Sequence, residues 1–149
     1  MRDIDLIVVH CTASKEGVDI GVKEVDAIHK RRGWSEIGYH FLVRLDGTIE
    51  RGRSVEKIGA HVRGFNRTSI GITYTGGLDS KSKTKDTRTG EQKESLELLL
   101  KTLKKMHPEA RICGHRDLSP DLNGDGEITR NEWTKACPCF DAVESYKHL

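Results

Sequence analysis

The sequence predicts an α/β protein: one domain with a central mixed β-sheet flanked by helices. Three observations carry that expectation. Residues 4–11, IDLIVVHC, form an almost unbroken apolar run, the mark of a strand buried on both faces. A leucine-rich stretch beyond residue 89 places Leu96, Leu99, Leu100, Leu103 and Met106 at helical spacing. Between them, GYHFLVRLDGTIERGR folds back at Asp46-Gly47, an antiparallel hairpin that makes the sheet mixed in direction.

Taken in order, the first strand is followed by Val22, Val25 and Ile28 at helical spacing, with Gly33 as the stop after Lys30, Arg31 and Arg32. The hairpin alternates through Tyr39, Phe41, Val43 and Leu45 and returns at Ile49. SIGITYT, residues 69–75, reads as another strand. Residues 78–91 are rich in Lys, Ser, Thr and Asp without periodicity and read as an exposed loop. Thr89 and Gln92 have capping-box spacing and open the leucine-rich helix, which ends before Pro108. ARICGH, residues 110–115, reads as the last strand and residues 139–148 as a short helix. The chain of 149 residues shows neither repeats nor a linker.

Composition narrows the function. A formal charge of +2 argues against nonspecific nucleic-acid binding, and no apolar run reaches the roughly 20 residues of a membrane span. MRDIDLIVVH has acidic residues where a signal peptide needs a basic start, so synthesis in the cytoplasm is expected. Four cysteines, irregularly spaced, suit reduced thiols rather than a disulfide framework.

Three candidate metal ligands fall at the ends of different elements: His10, His115 and Cys137. Two imidazoles and a thiolate suit Zn²⁺ and leave a fourth position for water. Each residue alone is more often a satisfied polar group or a small buried hydrophobe.

The surrounding words sharpen this reading. VVHCTA, RRGWSEIGYHFLVRLDGTIERGR, GAHVRGFNRTSIGI, GHRDLSP and KACPCFD occur in this order. The sequence resembles, from about Asp5 to about Asp141, the zinc-dependent N-acetylmuramoyl-L-alanine amidases of the phage-lysozyme type, which share a fold with peptidoglycan recognition proteins. The resemblance implies zinc ligands at His10, His115 and Cys137, and catalytic roles for Tyr39 and Lys135. Recognition-only members of the fold usually lack the cysteine ligand, so Cys137 favours an enzyme. The function implied is hydrolysis of the amide between N-acetylmuramic acid and L-alanine of peptidoglycan. A muropeptide-binding module without catalysis is the alternative. The expected enzyme is a monomer that acts on the cell wall after release or export.

His61 and Asn66 are expected to line the substrate groove or to hold loop backbone. Trp34 is expected to pack near that groove. Cys11 is expected in the core, and Cys113, on the face of His115, as a thiol supporting that ligand. Cys139 competes with Cys137 by proximity, and the family pattern selects the cysteine before proline.

DLNGDGEITRNE, residues 121–132, matches a twelve-residue calcium loop. Asp121, Asn123, Asp125, Glu127 and Glu132 are its candidate Ca²⁺ ligands, and Gly126 stands at the sharp turn. Pro120 leaves no incoming helix, and too few residues follow before Cys137 for an outgoing one. The loop is therefore expected to be an insertion in the amidase domain, where an ion, if held, is structural.

Overall fold

In the computed structural model, which describes residues 2–149, the chain forms a five-stranded sheet in the order β4-β3-β5-β1-β7. Its centre is β1 (Leu6–Cys11), paired in parallel with β5 (Ser69–Tyr74) on one side and β7 (Arg111–Gly114) on the other. β3 (Phe41–Val43) runs parallel to β5, and β4 (Ile49–Arg51) pairs antiparallel with β3 at the edge. The mixed sheet is thus observed, with the hairpin supplying the one antiparallel pair. A second, two-stranded sheet of β2 (Ser14–Lys15) and β6 (Gly77–Leu78) was not legible in the sequence, because two residues are too few to show a pattern.

Alternation along β1 divides the core. Ile7, Val9 and Cys11 face α2 (Gly90–Met106) and α3 (Ala142–Tyr146), packing with Ile70, Ile72 and Tyr74 of β5 and with Leu96, Leu99, Leu100 and Leu103 of α2. Leu6 and Val8 face the other way, towards Val62 and Cys113. α1 (Val22–Arg31) contributes Val25 to a third cluster with Ile37 and Leu42. His10 follows Leu6 and Val8, so β1 aims its side chain away from α2.

The helix boundaries follow their chemistry. Thr89 Oγ1 accepts the Gln92 N–H at 3.0 Å while Gln92 Oε1 accepts the Thr89 N–H at 2.9 Å, the expected capping box. α1 ends at Arg32, and Gly33 follows at φ +92°, where a side chain would be strained. Two expectations are corrected. Met106, placed on the buried face of α2 by spacing, is 65% exposed because it stands in the last turn, beyond the sheet contact. Regular strand pairing in the hairpin begins at Phe41 rather than Tyr39, because Tyr39 instead turns towards His10.

Candidate metal centre and groove

The carboxyl ends of parallel strands are where open α/β sheets hold ligands. Here β1 and β7 lie side by side, and their ends bring together residues from opposite parts of the chain. His10 is the penultimate residue of β1, and His115 follows β7 directly, opening a 3-10 turn. Cys137 arrives from a loop tied to both. The Cys11 N–H donates to Cys137 Sγ at 3.2 Å, and the Arg116 N–H donates to the Cys137 carbonyl at 2.9 Å. One ligand atom from each of His10, His115 and Cys137 lies within 4.8 Å of the others, close enough to hold a metal ion together. The His10 and His115 rings stand edge to face, centroids 4.9 Å apart.

Electrostatics keep both imidazoles neutral. Burial, then the neighbouring His61, His115 and Lys135, holds His10 well below the ordinary histidine range. Burial, then Lys135, lowers His115 to about 4. A neutral ring offers a lone pair, which is what a metal ligand requires.

Tyr39 and Lys135 stand at this cluster. The Tyr39 ring centroid is 5.0 Å from that of His10, and burial raises the phenol well above its ordinary value, so it remains a proton donor. Thr73, register partner of His10 on β5, has a buried Oγ1 with no hydrogen-bond partner among the described residues. Lys135 is exposed, two residues before Cys137, and lines the same groove. That groove has a volume of about 710 Å³ and runs past Trp34, Arg32 and Arg63 as well as His115 and Cys137. Trp34 packs against His29, centroids 4.5 Å apart, as expected of a residue beside the groove.

The remaining sequence candidates separate. His61 borders the groove but is buried, with Nδ1 2.9 Å from His10 Nε2. No spacing signal could show this, because His61 comes from a loop. Asn66 borders the groove and also holds backbone: its Oδ1 accepts from the N–H groups of His61 and Val62, each at 2.9 Å. Cys11 is core, with its thiol pushed up to about 12, first by its hydrogen bond with Cys137. Cys113 packs among Leu6, Val8, Val62 and Leu118, and burial pushes its thiol up to about 12. Cys139 does not join the ligand cluster and instead meets Cys11, sulfur to sulfur at 3.9 Å.

Segment 121–132 forms a second acidic cluster from Asp121, Asp125 and Glu132. Its carboxylates accept local N–H groups. Asp121 accepts from Gly124 and Gly126, and Asp125 Oδ1 from Glu127. Glu132 Oε2 accepts from Leu122 and Asn123, and Oε1 from Thr129. Asn123 spends its side-chain amide on Asp125, and Glu127 is exposed. The loop itself ends in a 3-10 turn, Arg130–Glu132, and among the described residues no helix stands between it and Cys137. Arg116 stacks over Trp133 at 4.0 Å, and the Thr134 N–H donates to Ser119 Oγ at 3.1 Å, closing the segment at its base.

The family model for N-acetylmuramoyl-L-alanine amidases matches residues 1–139. The endolysin of Klebsiella phage KP32 is 40% identical over 140 residues, covering 94% of this chain and 83% of its own. The N-acetylmuramoyl-L-alanine amidase LysC from Clostridium intestinale superposes with a TM-score of 0.74 at 29% identity, over 99% of this chain and 86% of its own. Drosophila PGRP-LB superposes with a TM-score of 0.75 at 20% identity, over 100% of this chain and 84% of its own, and shows the same fold. With its ligand cluster at the strand ends and a family match along most of its length, the chain belongs to the N-acetylmuramoyl-L-alanine amidase family.

Proposed function

We propose that the chain is a zinc-dependent hydrolase that cleaves the amide between N-acetylmuramic acid and L-alanine in peptidoglycan. The observation that carries this reading is the convergence of His10, His115 and Cys137, the last two lining a groove of about 710 Å³ and His10 buried behind them. Two neutral imidazoles and a thiol fit zinc, and three protein ligands leave a position open. Zinc supplies a water of lowered pKa and polarises the scissile carbonyl.

The chain's own residues do the rest. Lys135, exposed at the groove, brings positive charge to the oxyanion that forms on attack at the amide. Tyr39, protonated and beside His10, donates a hydrogen bond to the reacting oxygen. Asn66 fixes the loop wall, and Trp34 offers an apolar surface to the substrate.

The test is mass spectrometry of soluble products from purified peptidoglycan, with and without a chelator. Free stem peptides beginning with L-alanine, lost on chelation and restored by zinc, support the hydrolase. Intact glycan-peptide material at full zinc loading supports the recognition module instead.

A further inference from the structure

The two ring nitrogens of His10 have different neighbours. Nδ1 faces Cys137 Sγ at 3.7 Å, and Nε2 lies 2.9 Å from His61 Nδ1. On the far side of that second ring, His61 Nε2 is 3.2 Å from Ser69 Oγ. His10, His61 and Ser69 are 1%, 8% and 0% exposed, so these contacts are shielded from bulk solvent.

A nitrogen that binds a metal presents its lone pair, so in the metal-loaded protein Nδ1 of His10 is bare and Nε2 carries the hydrogen. That N–H points at His61 Nδ1, which must accept it. His61 then carries its own hydrogen on Nε2 and donates to Ser69 Oγ. We propose that His61 and Ser69 form a buried hydrogen-bond chain that fixes the tautomer and ring orientation of His10, making His61 a positioning residue for the metal. This rests on the zinc reading above.

Packing holds the chain in one geometry. A Cβ on Gly71 would lie 2.5 Å from His61 Cγ, and one on Gly59 would lie 2.8 Å from His61 Cδ2, so the ring sits between two bare stretches of backbone. Asn66 pins the His61 backbone from the other side. His40, whose centroid is 5.8 Å from that of His61, does not compete for the bond. Its Nδ1 accepts from the Gly71 N–H at 3.0 Å, and its Nε2 donates to the Lys57 carbonyl at 2.9 Å.

The usual partner of a ligating imidazole is a carboxylate, a carbonyl or a water. A carboxylate pushes electron density through the ring onto the metal. A neutral imidazole orients His10 with less of that push. The metal therefore keeps more of its power to polarise a carbonyl, while the ring that holds it is still locked.

The experiment is zinc affinity by competition with a chromophoric chelator, on folded protein. H61F fills the space without an acceptor, and H61N keeps an oxygen near the place of Nδ1. H61F is expected to bind zinc about 10- to 100-fold more weakly, the usual effect of losing such a partner. H61N should recover most of that loss, which simple space-filling does not explain. Long-range ¹H–¹⁵N spectra of the zinc-loaded wild type should show His10 protonated on Nε2 and metal-bound through Nδ1. Zinc on Nε2 overturns the proposal, as does wild-type affinity in folded H61F. Should H61F fail to fold, the wild-type spectrum decides alone. A wild type that takes up no zinc overturns the zinc reading together with this one, and that control separates the two failures.

Discussion

Two clusters of metal-capable side chains lie among the described residues, and they are built in opposite ways. His10, His115 and Cys137 come from three separate segments and meet at the ends of adjacent parallel strands. Asp121, Asp125 and Glu132 come from one short loop that needs no sheet to bring them together. The difference that matters lies in the lone pairs. Glu132 accepts from the backbone of Leu122, Asn123 and Thr129, so both of its oxygens are already engaged within the loop. The Nδ1 of His10 faces the Cys137 thiol at 3.7 Å, with no other hydrogen-bond partner among the described residues. A string that matches a calcium loop and a set of donors that awaits an ion are therefore different things, and the neighbours of each oxygen or nitrogen distinguish them.

The sharpest way to break this contrast is to remove a ligand from each cluster. C137A should abolish stoichiometric zinc binding and lower amidase turnover by about 10³-fold or more, since a metal contributes several kcal/mol to such a transition state. Zinc content by elemental analysis and release of L-alanine-terminated peptides check it. E132A should leave zinc content unchanged and show instead as faster proteolytic cleavage within residues 121–132. Loss of zinc in E132A would mean that the loop controls the metal after all.

Next in size is K135A. It should keep zinc and lower kcat by about 10²- to 10³-fold, as expected when one donor to an oxyanion is lost. A change confined to KM would place Lys135 in substrate binding instead.

Acid distinguishes the clusters as well. His10 is held below its ordinary value, His115 is lowered to about 4 and His61 to about 3, each first by burial. The unfolded chain then binds more protons than the folded one below the ordinary histidine pKa. Stability of the zinc-free protein should fall as pH drops through about 6.5 and keep falling towards pH 4. Glu132 is held below the usual carboxylate range, first by the Thr129 backbone, so its contribution is full above the ordinary glutamate pKa and is lost as the pH falls from there to the depressed value. Melting curves between pH 7 and pH 4 should therefore report the histidines before the loop. The smallest effect expected is that of calcium: millimolar Ca²⁺ should leave the melting temperature of the zinc-loaded protein unchanged, and a rise would restore the loop as an ion site.

Much of this was legible in the residues, for identifiable reasons. The run at residues 4–11 marked β1 because a strand covered on both faces needs apolar side chains at every position. Thr89 and Gln92 marked the start of α2 because a cap is a local interaction. The ligand cluster was legible only through the order of five motifs, since nothing local in His10 announces His115. The role of Asn66 stood open between groove and backbone, and its geometry places it at both. The contact between His61 and His10 had no sequence signature, because it depends on a loop crossing the sheet where Gly71 removes a side chain.

The position of β1 between β5 and β7 has a consequence in time. The first strand of the sheet can seat His10 beside His115 only after the last strand has been made and paired with it. Contacts so distant along the chain form late and slowly, because a long loop must close before they yield any stabilisation. A partly synthesised chain that stops short of Cys137 therefore lacks its full set of ligands. The cluster is therefore complete only when the fold is, because its last member lies beyond the last strand of the sheet.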